Sequence, residues 1–483
     1  MPGDNHSKPR RRGWRIQIGA GCRGLATLWL GVLLLSLPAI GLGAIGGADP
    51  NETSGTTPAT RLLTIQDIEV TGNRRTSQRT VALYFPLHSG DRVDQPGLLD
   101  AVARLRASGI FKAVDFYTRP GSERGHLIVV LEVEEKGVEV RFGSGNTSFD
   151  GWYLIPAQLA FDNRLGRGER IDLQIKLGYR HTGVAFNYDE PRVGDGDSYW
   201  GLRAEALNTD RIYFFSGAEY RHQVASGSGT AYFGRKFGSH WFSELGLKFE
   251  TVEADSFATV YQDDPVRYRK VGDELPFEAL PEDIAKAAGK RERGLVRLDL
   301  GYDSRNTTQV AGTPVSGLWG RLRGQGFLQQ NDSFLAASLD LRGYQTVPGG
   351  VLAIRLRGQV VGDKAAFYDR LYLGGLYTVR GFPSQGLTRP YGDTWLWSAS
   401  GEYRAPLIGT GARPRLAGVL FFDVGDSGSE AGPAFRNVAM SVGYGLRLRV
   451  AWLGWVGLDF GIPLSFSPLD EAFHTHVSIG WTF

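Results

Sequence analysis

From residue 138 to the last residue, apolar and polar side chains take turns with a period of two, and nothing else in the chain constrains its fold as tightly. IDLQIKLGY sets Ile171, Leu173, Ile175, Leu177 and Tyr179 on one side and Asp172, Gln174 and Lys176 on the other. LVRLDLGYD sets Val296, Leu298, Leu300 and Tyr302 against Arg297, Asp299 and Asp303. NVAMSVGYGLRLRV sets Val438, Met440, Val442, Tyr444, Leu446 and Leu448 against Asn437, Ser441, Arg447 and Arg449. HTHVSIGWTF sets Thr475, Val477, Ile479, Trp481 and Phe483 against His474, His476 and Ser478. Successive side chains on a strand point to opposite faces, so each run reads as a strand with one greasy and one wet face.

A soluble β-sandwich and a membrane β-barrel both give this pattern. Aromatic residues near the ends of the apolar faces and charges recurring on the other face, strand after strand, favour a barrel with an interfacial girdle and a wet lumen. Roughly 345 residues at about 20 per strand and connection give roughly 16 antiparallel strands. The strands fall near 138–147, 152–162, 169–180, 183–190, 197–208, 212–235, 241–253, 292–303, 316–329, 334–346, 351–361, 394–406, 414–424, 436–449, 454–461 and 473–483. The two long connections, 254–291 and 362–393, then lie at one end, the outer one. Mean hydropathy of −0.20, 66 glycines and 12% aromatic residues fit twisted, turn-rich β-structure better than a helical membrane protein. A net charge of +3 gives no electrostatic case for nucleic acid, and the single Cys22 allows no internal disulfide.

The N-terminal 48 residues read as a secretory signal peptide, KPRRRGWR followed by an apolar stretch ending in small residues at Ala44 or Ala48. Residues 49–61 form a polar linker, and 62–136 change character into a small α+β module. LTIQDIEVTGN is a strand, TSQRTVALYF a short helix, and QPGLLDAVARLRASGIF a second helix with Leu98, Leu99, Val102 and Leu105 on its apolar stripe. VDFYTRP and HLIVVLEVEE complete a β-α-α-β-β order. The phrases around Gly72, Asn73, Gly109 and Phe111 resemble a POTRA domain. That resemblance implies a free sheet edge that takes extended client polypeptides by strand addition; the plainer alternative is a spacer.

In LYLGGLYTVRGFPSQG, glycines flank an arginine with backbone that can bend and approach closely. Val379, Arg380, Gly381 and Phe382 resemble the VRGF/Y signature of the BamA/TamA-like outer-membrane protein superfamily, which also holds the two-partner secretion transporters. FDNRLGRGE, LGYDSRNTTQV and FFDVGD are further phrases of that kind. The resemblance implies a loop folded back into the barrel, with Arg380 paired to Glu402 and Asp423 on the following strands. It implies a plug that stabilises the barrel or gates it. It also implies a C-terminal sorting signal at Trp481 and Phe483. A seam between the first and last strands is expected where Val140, Phe142, Gly143 and Gly480 stand, since glycine thins pairing and lets a strand bend.

The expected fold is therefore mainly β, one POTRA domain at 62–136 followed by a 16-stranded outer-membrane barrel at 137–483. The expected function is assembly or insertion of proteins, with secretion of a dedicated partner or passive diffusion as alternatives. Client polypeptides, the lipid bilayer and periplasmic chaperones or accessory subunits are the expected partners, in a Gram-negative outer membrane. No Ser/His/Asp or paired-carboxylate constellation stands out, so no enzymatic activity and no cofactor are expected. His474 and His476 share a face without a third ligand nearby and read as lumenal filler rather than a metal site.

Overall fold

The computed structural model describes residues 62–146, 152–178, 180–194, 196–215, 218–262, 271–276, 279–307, 313–410, 413–430, 437–451, 454–465 and 473–483. The signal and linker segments, Tyr179, and the acidic pair Asp263 and Asp264 lie outside them.

The first module holds β1 (Leu63–Thr71), α1 (Gln78–Tyr84), β2 (Arg92–Val93), α2 (Gln95–Ala107), β3 (Phe111–Pro120) and β4 (His126–Glu135). Its sheet runs β2-β1-β4-β3, with β1 and β4 parallel. The two-residue strand β2 between the helices is absent from the sequence reading. It arises because Arg92 and Val93 pair back onto Leu63 and Thr64. Asp94 caps α2 by accepting from the Gly97 amide at 2.8 Å. The helix buries Leu98, Ala101, Val102 and Leu105 against Ile65, Val129 and Leu131, while Leu99, expected on the stripe, is 48% exposed. The buried stripe runs at i, i+3, i+4 and i+7 through Leu98, Ala101, Val102 and Leu105, and Leu99, one residue after its start, turns off it.

The remainder closes into a barrel. Its wall is β5 (Glu139–Asn146), β6 (Trp152–Asp162), β7 (Arg170–Gly178), β8 (His181–Val193), β9 (Ser198–Phe215), β10 (Ala218–Phe237) and β11 (Trp241–Ala254). It continues through β14 (Gly289–Asp303), β16 (Pro314–Leu328), β17 (Phe334–Val347), β18 (Gly350–Val361), β19 (Trp395–Thr410), β20 (Arg413–Gly428), β21 (Ala439–Val450), β22 (Gly454–Pro463) and β23 (His474–Ile479). Direct β11–β14 and β14–β16 pairing makes this a ring of sixteen strands among the described residues, with β23 beside β5. The sandwich alternative is thereby excluded. Hairpin β12 (Phe257–Gln262) and β13 (Val271–Pro276), the short helix α3 (Glu282–Ala285), and β15 (Asn306–Thr307) are additions to that ring.

The alternation maps onto the two sides of the wall. On β11, Leu245, Leu247 and Phe249 face outward and are about half exposed, while Glu244, Lys248 and Glu250 face the lumen. An apolar exterior over an ion-paired interior suits lipid outside and water or protein inside, and closure leaves no unpaired strand edge in the bilayer. The β11–β14 and β18–β19 connections leave and re-enter the wall at the barrel end opposite the first module, whose contacts are with the β6–β7 and β8–β9 turns.

Those contacts fasten the module to the barrel. Asn163 donates to Thr76 Oγ1 at 2.8 Å, Thr80 donates to the Gly166 carbonyl at 2.7 Å, and Arg192 donates to the Leu83 carbonyl at 2.9 Å while lying over the Tyr84 ring. FDNRLGRGE builds this turn around buried Glu169, which accepts from the amides of Leu165 and Arg167. Gly166 has φ +78°, and a Cβ there would come within 2.7 Å of the Arg75 carbonyl carbon. Only glycine combines that dihedral with that approach.

Candidate functional site

The loop between β18 and β19 turns into the barrel and places Arg380 at 1% exposure, flanked by fully buried Val379 and Phe382. Val379 and Phe382 pack with Leu373, Leu396 and Ala439, which anchors the loop to the inner wall. Gly381 has φ +89°, and a Cβ on it would lie 3.0 Å from the Gly461 carbonyl carbon. The tip can therefore press flat on β22 only because both residues are glycine.

Arg380 saturates its donors. Nε and Nη2 make a two-point contact with Asp423 at 2.7 and 2.9 Å, Nη1 reaches Glu402 at 2.7 Å, and Nη2 reaches Ser400 at 3.1 Å. Its backbone amide adds a third bond to Asp423 at 3.1 Å, and the guanidinium stacks 3.6 Å above the Phe421 ring centroid. A planar fork can meet one carboxylate with two bonds and a second with the remaining nitrogen, which an ammonium cannot. The structure thus brings Arg380 to both Glu402 and Asp423. Ser400 and Asp423 are direct cross-strand partners, so β19 and β20 present the acceptors at one level.

Further residues complete the site that sequence reasoning did not assign to it. Asp459 on β22 lies 3.5 Å from Arg380 Nη1 and pairs with Arg447 through two bonds, at 2.6 and 2.7 Å. Arg404 donates to Glu402 at 2.8 Å. Three arginines thus meet three carboxylates, Glu402, Asp423 and Asp459, in a charge-balanced buried cluster, the condition under which buried ions are tolerated. His476, read as filler, accepts from the Gly381 amide through Nε2 at 3.3 Å, so it contacts the tip of the plug. The polar-face parity of Arg447 and His476 was legible, but their meeting with the loop was not.

The C-terminus departs from the sequence reading. β23 ends at Ile479, not at residue 483, because Gly480 takes φ +89° and turns the chain off the wall. Trp481 lies under the Arg404 guanidinium, Thr482 donates to Glu402 at 2.8 Å, and the Phe483 carbonyl accepts from Arg404 at 3.0 Å. Phe483 packs with Tyr344 and Ala353. Trp481 and Phe483 therefore do not continue the outward row of Thr475 and Val477. A positive-φ glycine resets strand parity, and the lumenal cluster supplies partners that lipid would not. Across the seam, Val140 and Phe142 point outward at 58% and 62% exposure, and β5 carries a register shift between Arg141 and Gly143. Among the described residues the two seam strands are the shortest of the ring, eight residues in β5 and six in β23 against twenty in β10.

The Omp85 superfamily domain matches residues 163–483, which spans the plug, its acidic partners and all but the first strands of the ring. The chain belongs to the Omp85 superfamily. Among solved structures, an Omp85-type barrel similar to it is BamA from Haemophilus ducreyi lacking POTRA domains 1–3, at TM-score 0.62 and 16% identity over 86% of this chain and 85% of that one. CdiB from Acinetobacter baumannii matches at TM-score 0.53 and 14% identity, covering 86% of this chain and 73% of that one. CdiB from Escherichia coli matches at TM-score 0.52 and 13% identity, covering 86% and 75%. No curated protein matches the chain at the sequence level. Omp85 membership points to the outer membrane of Gram-negative bacteria and supports a role in polypeptide insertion or translocation.

Proposed function

We propose that this chain is an outer-membrane insertion factor that receives extended client polypeptides on the first module and delivers them to the β5–β23 seam. The observation that carries the proposal is the turn at Gly480, which takes the last residues off the wall and leaves a six-residue β23 beside an eight-residue β5. A short, glycine-interrupted pairing is the cheapest place to open a ring, and an opened edge templates strand addition. In the first module β3 has a neighbour on one side only, so its ten residues offer main-chain donors and acceptors to an extended segment. The latch at Thr76, Thr80 and Leu83 holds that edge at a fixed end of the barrel, which we assign to the periplasm.

Photo-crosslinking probes at Phe142 and Val477 test the proposal. Both are outward-facing residues of the seam strands. Insertion requires that they trap client strands, whereas trapping by probes at Arg342 and Arg355 in the lumen, with none at the seam, would replace insertion by passage through the pore. Passage or free diffusion also requires the plug to leave, against the full set of Arg380 contacts.

A further inference from the structure

Between the plug loop and the inner wall of β14, β16, β17 and β18 lies a cavity of about 330 Å³. Its cations are Arg211, Lys248, Arg293, Arg357 and Arg370, and its only carboxylates are Glu250 and Asp369. Both carboxylates are spent: Glu250 binds Lys248 at 2.5 Å and Arg293 at 2.7 Å, and Asp369 binds Arg293 at 2.5 Å. Arg357 donates to the Tyr377 carbonyl at 3.1 Å and to Gln359 at 3.3 Å, and Arg370 donates to the carbonyls of Ala365 and Asp363. Neither guanidinium has a carboxylate partner among the described residues. The uncharged part of the lining is mixed: Gln325, Ser338, Gln359 and Thr378 can offer hydrogen bonds, beside apolar Leu295 and Phe327.

The wall leading to this cavity from the end that bears the first module is cationic as well. Arg321 and Arg357 both stand opposite Asp340 in register, but Asp340 is taken by Arg342 at 2.8 Å and Arg355 at 2.7 Å. Asp299 is likewise shared by Arg297 at 3.1 Å and Arg323 at 2.6 Å. The guanidiniums of Arg305, Arg321 and Arg342 surround the Trp319 ring at 5.6, 5.5 and 4.5 Å. With more guanidiniums than carboxylates, such a track between low-dielectric walls concentrates anions, and arginine is the side chain best matched to the oxygens of a phosphate.

We infer that the cavity is a binding site for a small soluble phosphate-type anion, which bridges Arg357 on the wall to Arg370 on the plug loop. The volume sits at the lower end of small-molecule sites, and the excess of cations over carboxylates in its lining suits a compact polyanion better than an acyl chain. A bound anion would tie loop to wall at a second point, independent of Arg380.

Equilibrium dialysis of the detergent-solubilised full chain against radiolabelled inorganic pyrophosphate at constant ionic strength tests this. The expected result is saturable binding near one per chain, weakened about tenfold or more in Arg357→Gln and in Arg370→Gln and unchanged in Lys112→Gln on the first module's surface. Heat-modified gel mobility identifies folded barrels, and two separate variants guard against one that fails to fold. Failure to saturate, or equal binding by the folded variants, overturns the site. So does direct binding of phosphatidylglycerol micelles with no pyrophosphate binding, which would assign the cations to lipid headgroups.

Discussion

Gly381 on the plug and Gly461 on the wall stand back to back, and a Cβ added to Gly461 would lie 2.5 Å from the Gly381 Cα. Gly461→Ala should therefore lift the tip off β22 and cost about 1–3 kcal/mol as overpacking. Protease cleavage after Arg380, slow in the wild type, should become fast in this variant while the barrel keeps its heat-modified gel mobility.

Arg380→Ala leaves Asp423 buried without its counter-charge and Glu402 with Arg404 alone, and should destabilise the folded barrel by about 3–5 kcal/mol in urea titrations. Arg380→Lys should recover only a minor part, because one ammonium cannot reproduce the two-point contact with Asp423 and the bond to Glu402 together. In a double-mutant cycle, Arg380→Ala with Asp423→Ala should cost clearly less than the sum of the single losses.

The first module carries its own acid sensitivity. Glu135 at the end of β4 is partly buried, which by itself raises its carboxyl pKa, but bonds from the Arg75 side chain, from the amides of Thr76 and Arg75 and from the Thr76 hydroxyl outweigh this and hold it at about 2. A depressed folded-state value means the stabilisation is complete above the unfolded carboxyl range near about pH 4.3 and is lost as pH falls towards about 2. Hydrogen exchange across residues 74–84 should accelerate between pH 4.5 and pH 3 beyond the intrinsic chemical trend, and Glu135→Gln should remove most of that extra dependence.

Asn163→Ala removes the donor to Thr76 and the acceptor for the Gly168 amide, and should loosen the latch by about 1–2 kcal/mol. Amide exchange in α1 should rise while the ring strands stay protected. An unchanged α1 would mean that the Thr80 and Arg192 contacts suffice alone.

The ring was legible because a wall with lipid on one side and charge on the other must alternate, and β6, β11 and β17 fall within a residue of their expected limits. Arg380, Glu402 and Asp423 were legible through resemblance alone. Asp459, Arg447 and His476 were not placed with them, because an inward polar residue is unremarkable on any lumenal wall until the loop's path is known. Hairpin β12–β13 was missed inside a stretch read as a long outer connection, although Ala258 and Val260 are buried against Tyr220 and Phe367. At the C-terminus the letters continue to alternate through Trp481 and Phe483, and only the dihedral of Gly480 shows that the chain has already turned inward.

The decisive measurement is the rate at which a client barrel inserts into proteoliposomes containing the full chain, with cysteines introduced in β5 and β23 and joined by a disulfide. A seam that opens for its client requires at least a tenfold slower insertion when oxidised and recovery on reduction. An insertion rate indifferent to a closed seam would contradict it.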